Sequence, residues 1–132
     1  EDGAIDTFFQ LFAANSKDKA AFMDEHMSGF FRELMHVMSA AGLLRLFFLF
    51  IDDIPAATAL CFEYNKTMYL YNSGYNPQFS SLSAGFFCKA MSIKNAIERG
   101  CTTYDFLNGS EPYKRRLGGI STPVYQCHLH FK

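Results

Sequence analysis

Tryptophan is absent from this chain of 132 residues, and cysteine and proline are scarce. The four cysteines lie far apart, Cys88 and Cys101 being the closest pair, which excludes both a CxxC metal pair and a disulfide-dense secreted scaffold. We expect reduced, mostly buried thiols and a cytoplasmic protein. The chain begins at Glu1 with neither an initiator Met nor an apolar leader. A processed product and a fragment of a longer chain are both consistent with that start.

Charge of either sign is not in large excess, since the formal net charge is −1. The only dense basic cluster is the KRR run at 114–116, which excludes a broad contact surface for duplex nucleic acid. Long apolar runs are missing as well. The longest, at 43–51, is interrupted by Arg45 and has about half the length that a membrane-spanning helix needs. We therefore expect neither a duplex nucleic-acid partner nor a membrane span.

Apolar residues are abundant, at 49% of the chain, and they include 15 Phe and 7 Tyr. Charged residues make up only 19%, a composition far from that of a disordered chain. Neither a linker nor an internal repeat divides the sequence. One hydrophobic core and a single domain over residues 1–132 are expected.

Apolar residues at helical spacing predict two helices near the start of the chain. Asp2 can cap the first, whereas Asp24 is placed as N-cap of the second, with Gly42 just past its end. The polar residues 15–19 are expected to interrupt the helical pattern. The two apolar faces consist of Ile5, Phe8, Phe9 and Phe12, and of Met27, Phe30, Phe31, Leu34 and Met38.

The pattern then changes to strands at 43–51, 56–64 and 67–73, joined by tight turns at 52–53 and 65–66. Connections this short require antiparallel pairing, because parallel strands need a longer crossover. The first of these strands is apolar almost throughout. That character indicates that both of its faces are covered.

A further helix is predicted from Ser83, placed as its N-cap, to a stop at Gly100. Its apolar face consists of Phe86, Ala90, Ile93 and Ile97. A strand at 102–107 follows, and because a helix connects it to the strand at 67–73, we expect these two strands to be parallel.

The last part of the chain predicts one or two helical turns at 111–117, a stop at Gly118 and a final strand at 124–131. Together with the preceding elements, this order predicts a mixed α/β (α+β) sheet with helices packed against it.

Several short segments resemble one family of enzymes. They are GLLRL at 42–46, DDIPAA at 52–57, YLYNSGYNP at 69–77, AIERG at 96–100 and YDFLNGSEPYK at 104–114. Together they resemble the FemAB/CelD-like branch of the GNAT acetyltransferases over residues 19–119. The resemblance implies the GNAT acyl-CoA N-acyltransferase fold without its first strand. It also implies an acyl- or aminoacyltransferase of the kind tied to cell-wall, capsule or exopolysaccharide assembly.

The resemblance also implies where the acyl donor binds. CoA-dependent members carry an R/Q-x-x-G-x-G/A turn whose backbone N–H groups and following helix hold the pyrophosphate. The corresponding residues 80–85, SSLSAG, keep the last small residue but lack the basic or amide side chain and the central glycine. Acetyl-CoA or another acyl-CoA is the expected donor, and an aminoacyl-tRNA donor stays open as an alternative. For Ser83, the alternative is that it only caps its helix and does not bind phosphate. The cofactor-binding residues expected are Ser81, Ser83, Ala84, Gly85 and Lys114.

Catalytic residues are expected after the strand at 102–107, at the end of the sheet where α/β sites lie. Asp105 stands in an apolar strand, where a raised pKa would suit a general base; a structural role, accepting hydrogen bonds from the 108–109 turn or pairing with Lys114, is the favoured alternative. Glu111 and Tyr113 form the expected wall of the active site. The resemblance implies that Tyr113 donates a proton to a leaving thiolate, although Gly118 follows one residue later than usual. The alternative is a core Tyr113 beside a solvated KRR helix face.

Metal chemistry is not indicated. His128 and His130 alternate on the predicted last strand, but no third ligand has suitable spacing, so we expect no metal site.

Two functions remain in view. One is an acyltransferase acting on an amine or hydroxyl of a small-molecule, peptide or glycan acceptor. The other is a catalytically inactive GNAT-like domain that binds a ligand or a partner chain, as a homodimer or as half of a tandem protein.

Overall fold

The computed structural model describes residues 2–14 and 16–132. Three helices come first, namely α1 (Asp2–Ala14), α2 (Lys17–Phe22) and α3 (Glu25–Ala40). The strands β1 (Leu44–Ile51), β2 (Ile54–Tyr64) and β3 (Thr67–Tyr75) follow. A 3-10 helix (Pro77–Leu82) then leads into α4 (Ala84–Glu98), β4 (Thr103–Asp105) and α5 (Pro112–Arg116).

The four strands form one sheet in the order β1-β2-β3-β4. The first two pairings are antiparallel and β4 is parallel to β3, as predicted. Both hairpins turn on two residues of positive φ, Asp52 and Asp53 in one, Asn65 and Lys66 in the other. Turns of this kind match the right-handed twist of the strands that they join. The prediction of a mixed α/β sheet is confirmed.

Each face of the sheet has its own hydrophobic cluster. The cluster under α4 contains Ala59 and Cys61 of β2, whereas the cluster under α1 and α3 contains Leu60 of β2 with Phe8 and Met35. Strand β1 contributes to both by alternation, with Phe47, Leu49 and Ile51 on the α4 side and Leu44, Leu46 and Phe48 on the other. The expectation that both faces of β1 are covered is confirmed.

Helix α1 packs unusually close to β3. A Cβ atom added at Gly74 would clash with the backbone of Leu11 and would lie 2.6 Å from the Cα of Phe12. Only glycine allows the helix and the strand to approach this far.

The predicted limits of α3 are confirmed. The Asp24 carboxylate accepts a hydrogen bond from the Met27 N–H at 2.9 Å, and Gly42 has a φ of +75° just beyond the helix. The expected interruption at 15–19 is wrong for residues 17–19, which begin α2. The Ser16 hydroxyl caps that helix by accepting from the Lys19 N–H at 3.2 Å, and Asn15 lies outside the described residues.

The predicted apolar face of α4 is rotated from the one that the structure buries. The buried line is Ala84, Cys88, Ser92 and Ala96, with Phe86, Ala90 and Ile93 partly exposed beside it. Ile97 is 68% exposed. Small residues make up the buried line because they let α4 lie close to the sheet, and the Ser92 hydroxyl is satisfied by the Tyr104 hydroxyl at 2.7 Å.

The strand predicted at 124–131 is wrong. Those residues have no regular secondary structure, and Val124, Tyr125, Leu129 and Phe131 are each at least 75% exposed. The strand predicted at 102–107 ends at Asp105. Strand β4 therefore offers a three-residue edge, too short to template a long neighbouring strand. Among the described residues, no helix has the length and apolar character needed to cross a membrane.

Candidate active site

The central feature is an opening between β3 and β4. Their ladder consists of three pairs and ends with Tyr69 opposite Asp105, whereas β3 continues to Tyr75. Strand β4 stops there because the Asp105 carboxylate accepts a hydrogen bond from the Leu107 N–H at 2.7 Å, and Leu107 takes a φ of +60°. This local turn leads the chain away from β3. The edge of β3 beyond Tyr69 is thereby left beside a gap in the sheet.

A β-bulge lies on β3 at the start of this gap. The pairing with β2 passes from Cys61 opposite Leu70 to Leu60 opposite Asn72, so Tyr71 is the extra residue. Bulges re-aim backbone groups and side chains, and they are common next to active sites. The backbone of β3 changes direction close to where β4 departs.

Beyond the gap, β3 leads through the 3-10 helix to the N-terminus of α4. Ser83 occupies the N-cap position with a φ of 53° and a ψ of 40°, a left-handed conformation. Among residues 2–14 and 16–132, no side chain caps the N-terminus of α4. Its first N–H groups and the positive end of its dipole are available to an anion. The residues predicted to bind the donor lie here: Ser81 and Ser83 are exposed, Gly85 is half-buried against Tyr75, and Ala84 is buried.

The other wall of the gap is the loop that connects β4 to α5, and Lys114 organises it. The Lys114 ammonium is buried and donates to the carbonyls of Asn108 and Gly109 at 3.0 and 3.3 Å. It also lies 2.8 Å from the Glu111 carboxylate. Three acceptors match its three N–H groups. The expected pairing of Asp105 with Lys114 is therefore wrong, since Asp105 bonds to Leu107 instead.

Two ionisable groups of the wall have shifted pKa values. The hydrogen bond from Lys114 holds the pKa of Glu111 below its ordinary value, so this carboxylate is ionised at neutral pH. Burial, together with the charge of Glu111, raises the pKa of Tyr113 to about 12. Tyr113 is therefore a protonated phenol at neutral pH. Its ring packs edge-on against Phe106, which positions the residue over the end of β4.

Two lysines complete the opening, and neither was predicted. The Lys89 ammonium of α4 lies 4.1 Å from the centroid of the Tyr113 ring. The Lys19 ammonium of α2 donates to the carbonyl of Ser73 on β3 at 2.9 Å. Burial lowers the pKa of each, and the neighbouring Lys19 charge lowers that of Lys89 further.

A profile of the acetyltransferase (GNAT) domain family matches residues 1–115, most of the chain. The chain belongs to this family. It is thus a GNAT acetyltransferase domain, and an enzyme of the acetyltransferase class. No curated protein matches it.

Solved structures match this GNAT domain over nearly their whole length. A transcriptional regulator from Bacillus halodurans aligns with a TM-score of 0.70 at 10% identity, covering 99% of this chain and 95% of that one. An aminoglycoside acetyltransferase from an uncultured soil metagenomic sample, in complex with sisomicin, aligns with a TM-score of 0.65 at 11% identity, covering 99% of this chain and 92% of that one. The aminoglycoside N-acetyltransferase AAC(6')-Iy, in complex with CoA, aligns with a TM-score of 0.59 at 13% identity, covering 98% of this chain and 90% of that one. At these identities the likeness shows the fold alone.

The predicted catalytic residues of the GNAT domain separate into two groups. Glu111 and Tyr113 lie together on the wall formed by the loop and α5, whereas the Asp105 carboxylate is used in the turn that ends β4. The alternative prediction, a core Tyr113 beside a solvated KRR helix face, is half right. Tyr113 is partly buried and Arg115 and Arg116 are exposed, but Lys114 is buried. No group of three or more His, Cys, Asp or Glu side chains is placed to hold a metal ion in the described residues.

One signal in the sequence could have revealed Lys89. It stands between Phe86 and Ala90 on the predicted apolar face of α4, where a lysine is out of place unless it has a function. Lys19 carries no comparable signal. Its position depends on how α2 packs beside β3, a long-range contact that local patterns do not report.

Proposed function

We propose that this GNAT domain is an acyl-CoA-dependent transferase, with acetyl-CoA as its simplest donor, and that its acceptor is an amine. The donor lies in the gap between β3 and β4, with its pyrophosphate at the N-terminus of α4. One observation carries the proposal: the β3–β4 ladder ends at Tyr69, while β3 runs on toward the uncapped start of α4. An extended molecule with an anionic group near its middle fits that arrangement.

The residues present fit such a donor at the helix end. The N–H groups of Ala84 and Gly85 are the contacts for the pyrophosphate, and the exposed hydroxyls of Ser81 and Ser83 lie beside them. Lys89 comes four residues after Gly85, about 6 Å further along the axis of α4. A bound acyl-CoA supplies the acyl group as a thioester. The chain's own groups position the two substrates and protonate the leaving sulfur.

On the wall of the gap, the protonated Tyr113 phenol is the general acid for the leaving sulfur. Its pKa, raised to about 12 by burial, keeps the phenol protonated at neutral pH. The same shift weakens it as an acid, so its hydrogen bond to the charge developing on the sulfur is the larger part of its role. Glu111 stays ionised, so it accepts a hydrogen bond from the neutral acceptor amine and stabilises the positive charge that develops on the nitrogen during attack. That nitrogen then releases its proton to solvent. The lowered pKa of Glu111 makes this carboxylate a weak base. In this proposal Lys114 holds the loop that carries Glu111, and Asp105 shapes the turn that opens the gap.

Gly85→Asp tests the position of the donor. A Cβ at Gly85 would make ordinary contact with Tyr75, the nearest side-chain atom being at 3.6 Å, so the variant should fold. A carboxylate at the N-terminus of α4 interacts favourably with the helix dipole but repels a pyrophosphate. The wild type should gain about 2–3 kcal/mol of stability at a hundred times the dissociation constant of acetyl-CoA. Gly85→Asp should lose that gain in thermal melts.

Gly29→Asp is the matched control, because Gly29 lies on α3 with no atom within 4 Å of an added Cβ. It should keep the full stabilisation by acetyl-CoA. A wild-type protein that no acyl-CoA stabilises would remove the proposal. It would favour the inactive binding domain, or an aminoacyl-tRNA donor, which assays of aminoacyl-tRNA consumption can detect.

We further propose that the chain belongs to the FemAB/CelD-like branch of this family. This proposal is supported by the EPYK segment at 111–114, in which Lys114 closes the loop around Glu111. A role in cell-wall or polysaccharide assembly rests on that branch alone. We also propose a cytoplasmic location and a homodimeric or tandem partner.

A further inference from the structure

Two ammonium groups enter the gap from opposite faces of the sheet. Lys19 lies 5.0 Å from the ring centroid of Phe12, a member of the cluster under α1 and α3. Lys89 lies over the ring of Tyr113, which packs with the cluster under α4. The Lys19 charge acts on Lys89 across the space beside β3, which is open because β4 ends at Asp105.

Neither ammonium forms an ion pair within the part of the chain that the structure describes, and Glu111 acts on both only at longer range. No carboxylate oxygen there lies within 4.0 Å of either one. The carboxylate of the wall belongs to Glu111, and Lys114 holds it at 2.8 Å. Of its three N–H groups, Lys19 uses one on Ser73, and the described residues give Lys89 no hydrogen-bond acceptor. The other N–H groups of the pair have no hydrogen-bond acceptor among the described residues.

This arrangement is unfavourable without a ligand. Partial burial disfavours the charged form of both lysines, and the Lys19 charge adds to this effect at Lys89. The more distant charge of Glu111 offsets only part of it, so the pKa of each lysine is lowered. Charges that destabilise the free protein are typical of sites that bind a partner of opposite charge.

We propose that Lys19 and Lys89 together bind a carboxylate carried by one of the two substrates in the gap between β3 and β4. The inference rests on the proposed function, which makes this gap the site of transfer. The carboxylate belongs either to an acidic acyl group, such as a succinyl group, or to an acidic acceptor. Polycationic acceptors, among which are the aminoglycosides of the structural neighbours, are disfavoured by the same two charges.

Calorimetry with two pairs of probes distinguishes the sources. Succinyl-CoA against acetyl-CoA tests an acidic acyl group, because the two differ in one terminal carboxylate. Glutarate against glutaramide, each added to the protein with and without CoA, tests an acidic acceptor. For the source that applies, the carboxylate probe should bind roughly ten- to a hundredfold more tightly than its neutral partner, as expected for hydrogen bonds to a charged group.

Lys19→Met and Lys89→Met remove each charge while keeping the length of the side chain. Each variant should reduce the preference for the carboxylate probe about tenfold, and the double variant should abolish it. The matched controls are Lys17→Met on α2 and Lys94→Met on α4, both exposed lysines, which should keep the wild-type preference. Thermal melts verify that all variants fold, and Lys89→Gln replaces Lys89→Met if the latter does not.

Failure of the inference is distinguishable from failure of the proposed function. Equal binding of both members in both pairs overturns the carboxylate site, even when acetyl-CoA itself binds. A preference that survives in the double variant overturns it too. Lysine-dependent binding of glutarate in a protein that ignores every acyl-CoA upholds the carboxylate site and removes the CoA-dependent transferase.

Discussion

At the end of the sheet where β2 turns into β3, Glu63 accepts hydrogen bonds from Nε of Arg45 at 2.8 Å and from Nε of Arg99 at 2.6 Å. At the gap between β3 and β4, Lys19 and Lys89 have no such partner among the described residues. The two regions contain similar groups, one carboxylate with several cations. They differ in whether the cations are paired with a carboxylate. The arginines around Glu63 are, and we call that region matched; the two lysines are not, and we call them unmatched. Arg45 also donates to the carbonyls of Gly42 and Leu44. The lysine pair makes one hydrogen bond in the described structure, from Lys19 to the Ser73 carbonyl.

This difference separates charges that hold the fold together from charges that are kept for a ligand. Burial alone would raise the pKa of Glu63, but the hydrogen bond from Arg99 and the charge of Arg45 outweigh it and lower the pKa. The Glu63 cluster therefore stabilises the folded state, joining β1, β2 and the end of α4. The lysine pair destabilises the folded state, since burial lowers both pKa values and so disfavours the charged form.

The largest effect is expected where the backbone of the gap is held in place, at Gly74. Gly74→Ala puts a Cβ into the backbone of Leu11 and Phe12, so α1 must move away from β3. We expect a loss of at least about 3 kcal/mol in the free energy of unfolding, measured by denaturant titration. Gly29→Ala, in open space on α3, should instead stabilise by up to about 1 kcal/mol. Similar effects for the two would contradict the close approach of α1.

Breaking the matched region comes next. Glu63→Gln removes the charge that two arginines share, at a half-buried position, and should cost about 2 kcal/mol. Glu98→Gln is the control, because its pairing with Lys94 is exposed, and it should cost less than about 0.5 kcal/mol.

Acid titration of stability gives a second test of the same cluster. The folded-state pKa of Glu63 is below 4.5, so its stabilisation is present above that pH and is lost as the pH falls through the folded-state pKa. The wild type should therefore lose more stability than Glu63→Gln on acidification below about pH 4.5. Parallel pH profiles would show that the two arginines do not stabilise the charged form.

Removing the unmatched charges should have the opposite sign. The double variant of Lys19→Met and Lys89→Met should be more stable than the wild type by about 1 kcal/mol, while it loses its ligand preference. The wild type should also gain stability as the pH rises from neutral toward 10, because the unfolded lysines, with a pKa of 10.5, retain protons that the folded ones release. The double variant should show less of this rise. A destabilised double variant would mean that the lysines serve the fold.

The sequence predicted best what depends on neighbouring residues. Asp24 and Gly42 mark the ends of α3, the pairs at 52–53 and 65–66 form the hairpin turns, and the helix crossover requires a parallel β4. Each of these is decided within a few residues by capping, by backbone conformation or by the length of a connection.

What the sequence missed depends on distant contacts. The alternation at 124–131 predicts a strand, but a strand needs a neighbour, and the Asp105–Leu107 hydrogen bond ends β4 after three residues. The wall at Glu111 and Tyr113 follows from the resemblance to known transferases. The charge of the gap does not, because it arises from Lys19 and Lys89, which are 70 positions apart in the sequence and meet only across the sheet.

The smallest effect should come from the N-terminus of α4, which has no side-chain cap in the described residues, compared with the capped N-terminus of α3. Ser83→Ala should change stability by less than about 0.5 kcal/mol, because the Ser83 hydroxyl caps nothing in the described structure and both residues meet the same left-handed backbone. Asp24→Ala, which removes an observed cap of α3, should cost about 1 kcal/mol. If Ser83→Ala cost as much, the hydroxyl would be satisfying the N–H groups of α4, and these would no longer be free for a pyrophosphate. The difference between the two alanine variants, measured by thermal melts without ligand, therefore reports whether the helix end is kept open.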